Sequence, residues 1–97
     1  MSPWPGFGAY AATKHGILGL TKNGAIEYAN DGIRVNAVCP GAIMTPLMTG
    51  ISPERQQEIL RPQAMSRPGE PEEVAAVVVW LCSDEASFVT GVAMPVD

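Results

Sequence analysis

Metal-binding side chains are scarce in this chain, which has one histidine and two cysteines, with Cys39, Cys82 and His15 far apart. No cluster of ligands at short spacing is present, so a structural zinc site has little to rest on. Neither cysteine belongs to a Cys-x-x-Cys pair and each sits inside an apolar segment, so both are expected to be reduced core thiols. Basic residues are few as well. Six stand against ten acidic ones, for a net charge of −4, and they are spaced singly, which disfavours nucleic acid as a partner. Long apolar runs are also missing. The longest, Val74 to Cys82, has nine residues, about half of the ~20 a membrane-spanning helix needs, and reads as a buried helix. The opening Met1-Ser-Pro-Trp-Pro has neither a basic region nor an apolar stretch, so no secretory signal is visible and a cytoplasmic location is expected.

What is present is apolar material. Hydrophobic residues make up 46% of the 97, enough for one small globular domain over 1–97. A domain this short leaves much of its surface wet, so its stability is expected to be marginal unless it associates with something.

The order of elements follows from periodicity and punctuation. Prolines and glycines crowd positions 3–8, and from Ala9 to about Asn30 helix formers dominate. Within this first helix Ile17, Leu18, Leu20, Ala25 and Ile26 recur at helical spacing, leaving Lys22, Asn23 and Glu27 to face water. Asn30-Asp31-Gly32 supplies a left-handed helix end. Ile33 to Cys39 reads as a strand covered on both faces, stopped by Pro40-Gly41. A long irregular segment from Ala42 to Gly69 follows, with a short helix around Pro53 to Leu60; loops of this length are often functional. Pro71 suits the first position of a new helix, with Glu72 and Glu73 at its positive end. Val74, Val77, Val78 and Leu81 form one face, Val79 and Trp80 widen it, and Ser83 and Asp84 end it. Thr90-Gly91 then turns the chain into a last strand, Val92 to Val96. Helix, strand, loop, helix, strand implies an α/β fold with a parallel pair joined by a crossover, and two strands need further strands to complete a sheet.

Two constellations carry chemistry. Tyr10 and Lys14 lie four apart on the first helix and project from one face. An ammonium held near a phenol favours the phenolate and suits Tyr10 to exchange a proton with an alcohol or carbonyl oxygen. Taken alone, the pair is better read as a surface Tyr and Lys that share a helical face without chemistry. The second is Pro40-Gly41-Ala42-Ile43-Met44-Thr45-Pro46, directly after a buried strand. Ligands of open parallel sheets bind beyond the carboxyl ends of strands, where a Pro-Gly turn lets the backbone approach a planar ligand; an ordinary strand-ending turn is the plain alternative. Gly6-Phe-Gly8-Ala-Tyr-Ala11 matches a dinucleotide fingerprint, but no strand can precede it in five residues. Trp4 and Trp80 read as packing, His15 as a surface or interface residue, and Met44, Met48 and Met65 as pocket lining or gap filling.

Considered jointly, Tyr10-Ala-Ala-Thr-Lys14-His-Gly, Ile33-Arg-Val-Asn-Ala-Val-Cys-Pro-Gly41, Arg67-Pro-Gly-Glu-Pro-Glu-Glu-Val-Ala75 and Thr90-Gly91 resemble the short-chain dehydrogenase/reductase family in order and spacing, over almost the whole chain. The resemblance implies the carboxyl-terminal part of a Rossmann-type parallel sheet and hydride transfer between a secondary alcohol and a ketone with NAD or NADP. It implies Tyr10 as general acid/base, with Lys14 activating it and holding the nicotinamide ribose. It also implies that Pro40, Gly41 and the backbone of Ile43 border the nicotinamide carboxamide, with Thr45 adding a hydroxyl. Met44 to about Ser66 resembles the family's substrate loop, and a homo-oligomer is expected.

The family's glycine-rich phosphate turn, its residue selecting NAD or NADP and its proton-relaying asparagine all precede the tyrosine helix, and its catalytic serine stands further ahead than the nine residues before Tyr10 allow. Ser2 is too close to fill that place, and the usual Gly-Gly after the final Asp is absent at Asp97. The competing expectation is a catalytically inactive truncated chain that self-associates through apolar helix faces.

Overall fold

In the computed structural model, which describes residues 8–97, two short strands run side by side in the same direction. Strand β1 (Ala37–Pro40) lies in register with β2 (Ala93–Val96), placing Ala37 opposite Ala93 and Pro40 opposite Val96. Helix α1 (Gly8–Tyr28) leads into a single 3-10 turn, Ala29–Asp31. Between the strands come α2 (Pro46–Thr49), α3 (Pro53–Leu60), α4 (Pro71–Leu81) and a second 3-10 turn, Asp84–Ala86. The parallel pair with its crossover and the α/β class agree with the sequence reading. Trp4 and Gly6, read above from the sequence, lie outside the described residues.

Local chemistry explains most boundaries. Gly32 closes the first helical segment at φ 75°, a left-handed conformation that costs a side chain more than it costs glycine, and its N–H returns to Ala29 O. Proline occupies the first turn of α2, α3 and α4, where its missing N–H leaves no bond unmade. Ser52 caps α3 by accepting from the Arg55 N–H at 3.3 Å. Helix α2 was not anticipated. It is one turn long, and Gln56 of α3 braces it by donating to Met48 O at 2.9 Å and to Ile51 O at 3.0 Å.

The strand expected from Ile33 begins at Ala37 instead. Residues 34–36 are held by other partners. The Val35 N–H donates to Thr90 Oγ1 at 3.1 Å, and the Gly91 N–H to Val35 O at 2.7 Å. Asn36 donates from Nδ2 to Val89 O at 3.0 Å and accepts the Val92 N–H on Oδ1 at 3.0 Å, so a side chain stands in for a rung of the ladder. Half-buried Arg34 gathers the end of α4, donating to Leu81 O (2.7 Å), Ser83 O (3.3 Å) and Val89 O (3.3 Å). A cation at that position satisfies carbonyls the helix leaves over and complements its negative pole.

The core is small, comprising Ala25, Met48, Leu60, Leu81 and Ala86. Helices α1 and α4 both pack on β1, but each buries one narrow stripe. In α4 only Leu81 is fully covered and Val79 is 67% exposed, so the expected buried helix is corrected to a half-covered one. In α1 the buried positions are Thr21 and Ala25, whereas Leu20 is 73% and Ile26 82% exposed, against the expected apolar face. Trp80 is likewise exposed, not packed. The same shortfall applies to the thiols, since Cys39 is half-buried, Cys82 exposed, and β1 only partly covered. The physical reason is common to all of these: among the described residues two short strands give α1 and α4 too little sheet surface to cover more than part of each helix. No helix among them is long and apolar enough to cross a membrane.

Candidate functional site

Beyond the carboxyl ends of β1 and β2 the chain forms a cavity of about 260 Å³, with Ile43, Gln63, Met65, Arg67, Glu73 and Asp97 among its walls. The turn that follows β1 supplies part of its wall through Ala42 and Ile43. The Gly41 N–H continues the ladder to Val96 O at 3.0 Å. A side chain at Gly41 has no room, because a Cβ there would overlap the Gln63 side chain and stand 2.6 Å from Asp97 Cβ. Glycine is therefore required by close approach and not by an unusual φ.

After Gly41 an isolated parallel bridge pairs Ile43 with Gly69, so the two ends of the long loop return to one another. The Gly69 N–H donates to Ala42 O at 2.8 Å, and the Met44 N–H to Gly69 O at 2.7 Å. In a planar trans peptide the N–H and C=O point in opposite directions. Locking Ala42 O and Met44 N–H toward Gly69 thus turns the N–H and C=O of Ile43 the other way, and neither has a hydrogen-bond partner among the described residues. Thr45 precedes α2 in an extended conformation, and its hydroxyl makes no cap bond to the helix.

The far limb of the loop is fastened by an ion pair. Arg67 Nη1 meets Glu73 Oε1 at 2.9 Å and Nη2 meets Oε2 at 3.1 Å, a two-point contact, while Oε1 also accepts the Glu70 N–H at 2.9 Å. The hydrogen bonds from Arg67, and then from the Glu70 backbone, hold the Glu73 carboxyl down to about 2; the same pairing raises Arg67. Glu73 thereby serves as both the third residue of α4 and the anchor of the preceding loop.

The tyrosine and lysine of α1 form a separate group. Lys14 Nζ stands 5.2 Å from the centroid of the Tyr10 ring, within cation–π range, on a helix face where Tyr10 remains 57% exposed. Spacing on the helix brings these two together, as anticipated; neither is among the residues lining the cavity. His15 is exposed, with Nδ1 2.8 Å from Ala11 O. The methionines divide: Met65 lines the cavity, Met44 contributes its N–H to the bridge, and Met48 is core.

Sequence reasoning passed over Gln63, Arg67 and Glu73 as site residues. For Glu73 a signal existed, since glutamate three residues after a cap position reaches back to the cap N–H. Gln63 offered none, because its partner, Ala42, lies 21 residues away.

Comparison with known proteins places these features in context. The family model described as Enoyl-(Acyl carrier protein) reductase matches residues 1–97. The chain is 50% identical over 97 residues to 3beta-hydroxysteroid dehydrogenase 1 of Eggerthella lenta, covering 98% of this chain and 37% of that protein. It is 52% identical over 88 residues to cyclohexanol dehydrogenase of an Acinetobacter species, covering 91% and 34%. Among solved structures, 3-oxoacyl-[acyl-carrier protein] reductase from Brucella melitensis superposes with a TM-score of 0.86 at 49% identity, covering 90% of this chain and 32% of that one. The chain thus spans about a third of the length of these relatives. Matched by the family model over 1–97 and by relatives over nearly its whole length, the chain belongs to the short-chain dehydrogenase/reductase family.

Proposed function

We propose that the protein is an NAD(P)-dependent oxidoreductase in which Tyr10 exchanges a proton with the oxygen of a secondary alcohol or ketone. The observation that carries this reading is the Lys14 ammonium standing over the Tyr10 ring one helical turn away. The pair stands on one helix face, and the ammonium N–H groups suit the hydroxyls of a ribose. Two relatives are named for a hydroxysteroid and for cyclohexanol, and a cyclic secondary alcohol is the substrate class proposed here.

The turn after β1 fits a nicotinamide carboxamide. Ile43 offers an N–H and a C=O with no hydrogen-bond partner among the described residues, matching the acceptor and donor of a primary amide. Pro40 and Gly41 border this position, where the missing Cβ lets the chain lie close, and the uncommitted Thr45 hydroxyl adds a polar group. A nicotinamide held there would supply hydride transfer, while Tyr10 exchanges the proton and the loop over 44–66 borders the substrate.

A cytoplasmic location and a homo-oligomer belong to the same proposal. Free thiols at Cys39 and Cys82 suit a reducing compartment, and the bare apolar sides of α1 and α4 suit burial against further protein.

Replacing Tyr10 by Phe in the intact protein tests the reading. Turnover of a cyclic secondary alcohol is expected to fall by on the order of 10²- to 10⁴-fold while fluorescence titration still detects NADH or NADPH. Unchanged turnover would remove Tyr10 from the chemistry. The same titration, run with each nucleotide, decides which one the protein prefers.

A further inference from the structure

The side-chain amide of Gln63 joins two stretches of chain that no strand or helix connects. Its Oε1 accepts the Ala42 N–H at 2.5 Å, while Nε2 donates to Arg67 O at 3.2 Å and to Met65 O at 3.4 Å. Its own N–H returns to Leu60 O at 3.0 Å, so the residue is fixed to the end of α3 as well. The side chain also fills the space where a Cβ on Gly41 would stand.

Three successive peptide planes follow Gly41. The first, carrying the Ala42 N–H, is held by Gln63; the second and third are held by the two bonds to Gly69. Together they set the direction of the Ile43 N–H and C=O. Gly69 acts through its backbone, which any residue possesses, so Gln63 is the side chain on which this alignment depends. Because the other end of the amide grips Met65 and Arg67, the same side chain ties the returning limb of the loop to the turn.

We propose that Gln63 is a positioning residue for nicotinamide binding, acting through Ala42 to orient Ile43 and coupling that orientation to the substrate loop. This inference rests on the functional reading given above. The effect of Gln63 on the nicotinamide passes through the backbone, by way of the Ala42 N–H.

The experiment compares Gln63→Leu and Gln63→Glu with the wild type in the intact protein, using NADH and NADPH as ligands and NMR hydrogen exchange at the Ala42 amide. Leucine keeps the bulk and loses all three bonds. It is expected to speed Ala42 exchange, to weaken nicotinamide binding about tenfold, the loss of roughly one hydrogen bond, and to raise the nicotinamide KM more than it lowers kcat. Glutamate keeps an acceptor for Ala42 but sets a carboxylate oxygen against two carbonyls. It should preserve Ala42 protection and most of the affinity, and it supplies the comparison if the leucine variant does not fold. Wild-type affinity in the leucine variant, or unchanged Ala42 exchange in it, overturns the inference while leaving the functional reading intact. If only the glutamate variant folds, weak binding with Ala42 still protected overturns it. A wild-type protein that binds neither nucleotide overturns both.

Discussion

Arg67 and Glu73 face each other across the start of α4, with Nη1 donating to Oε1 at 2.9 Å and Nη2 to Oε2 at 3.1 Å. Because the folded carboxyl is held near 2, below its ordinary 4.5, this pairing favours the folded protein above pH 4.5 and is lost as the pH falls from there toward 2. Thermal unfolding of wild type and Glu73→Gln at a series of pH values should therefore show a gap at neutral pH that closes over that window. Both side chains are about half exposed, so added salt should narrow the gap at neutral pH as well. A gap independent of pH would show that the charge on Glu73 does not contribute to stability.

Arg34→Met keeps an apolar stem and removes the donors to Leu81, Ser83 and Val89. The expected cost is on the order of 2 kcal/mol in urea unfolding, since several carbonyls lose a charged partner. None of Tyr10, Lys14 and Ile43 is among the partners of Arg34, so nicotinamide affinity should change little in whatever fraction stays folded.

Gly91 tests the turn into β2. It sits at φ 76°, and a Cβ added there meets Ala25 Cβ at 3.3 Å, tight against α1. Gly91→Ala should destabilise by roughly 1–2 kcal/mol from the left-handed conformation alone. Gly91→Asn, which tolerates that conformation better, should not recover full stability because the contact with Ala25 remains. Denaturant midpoints of the two variants measure the difference.

Lys14→Met leaves a side chain able to cover the Tyr10 ring without charge. Turnover in the intact protein is expected to drop by on the order of 10²-fold, with weaker nicotinamide binding. Retained turnover would mean that the ammonium over the ring is packing only.

Turns and helix starts were legible because single residues dictate them: Gly32 and Gly91 take positive φ, and Pro53 and Pro71 open α3 and α4 as read. The four-residue α2 carries too few turns to show a period, and β1 starts late because Asn36 and Thr90 compete with the ladder, a contest invisible in local sequence. Apolar patterning identified sticky surfaces on Ile26, Val79 and Trp80 but not whether anything covers them. The candidate site divides in the same way. Tyr10 and Lys14 follow from helical spacing, whereas Gln63 reaches its partner only after the loop has folded back.

The mating of β1 with β2 joins positions about 56 apart, as the Asn36 to Val92 bond does. Drawing such distant segments together sacrifices chain freedom before any rung repays it, whereas α1 gathers its bonds within a few residues. Assembly of this region is accordingly expected to begin with the helices and to wait on the strands, so the Pro-Gly turn, which hangs from the last rung, takes its shape at the end of folding.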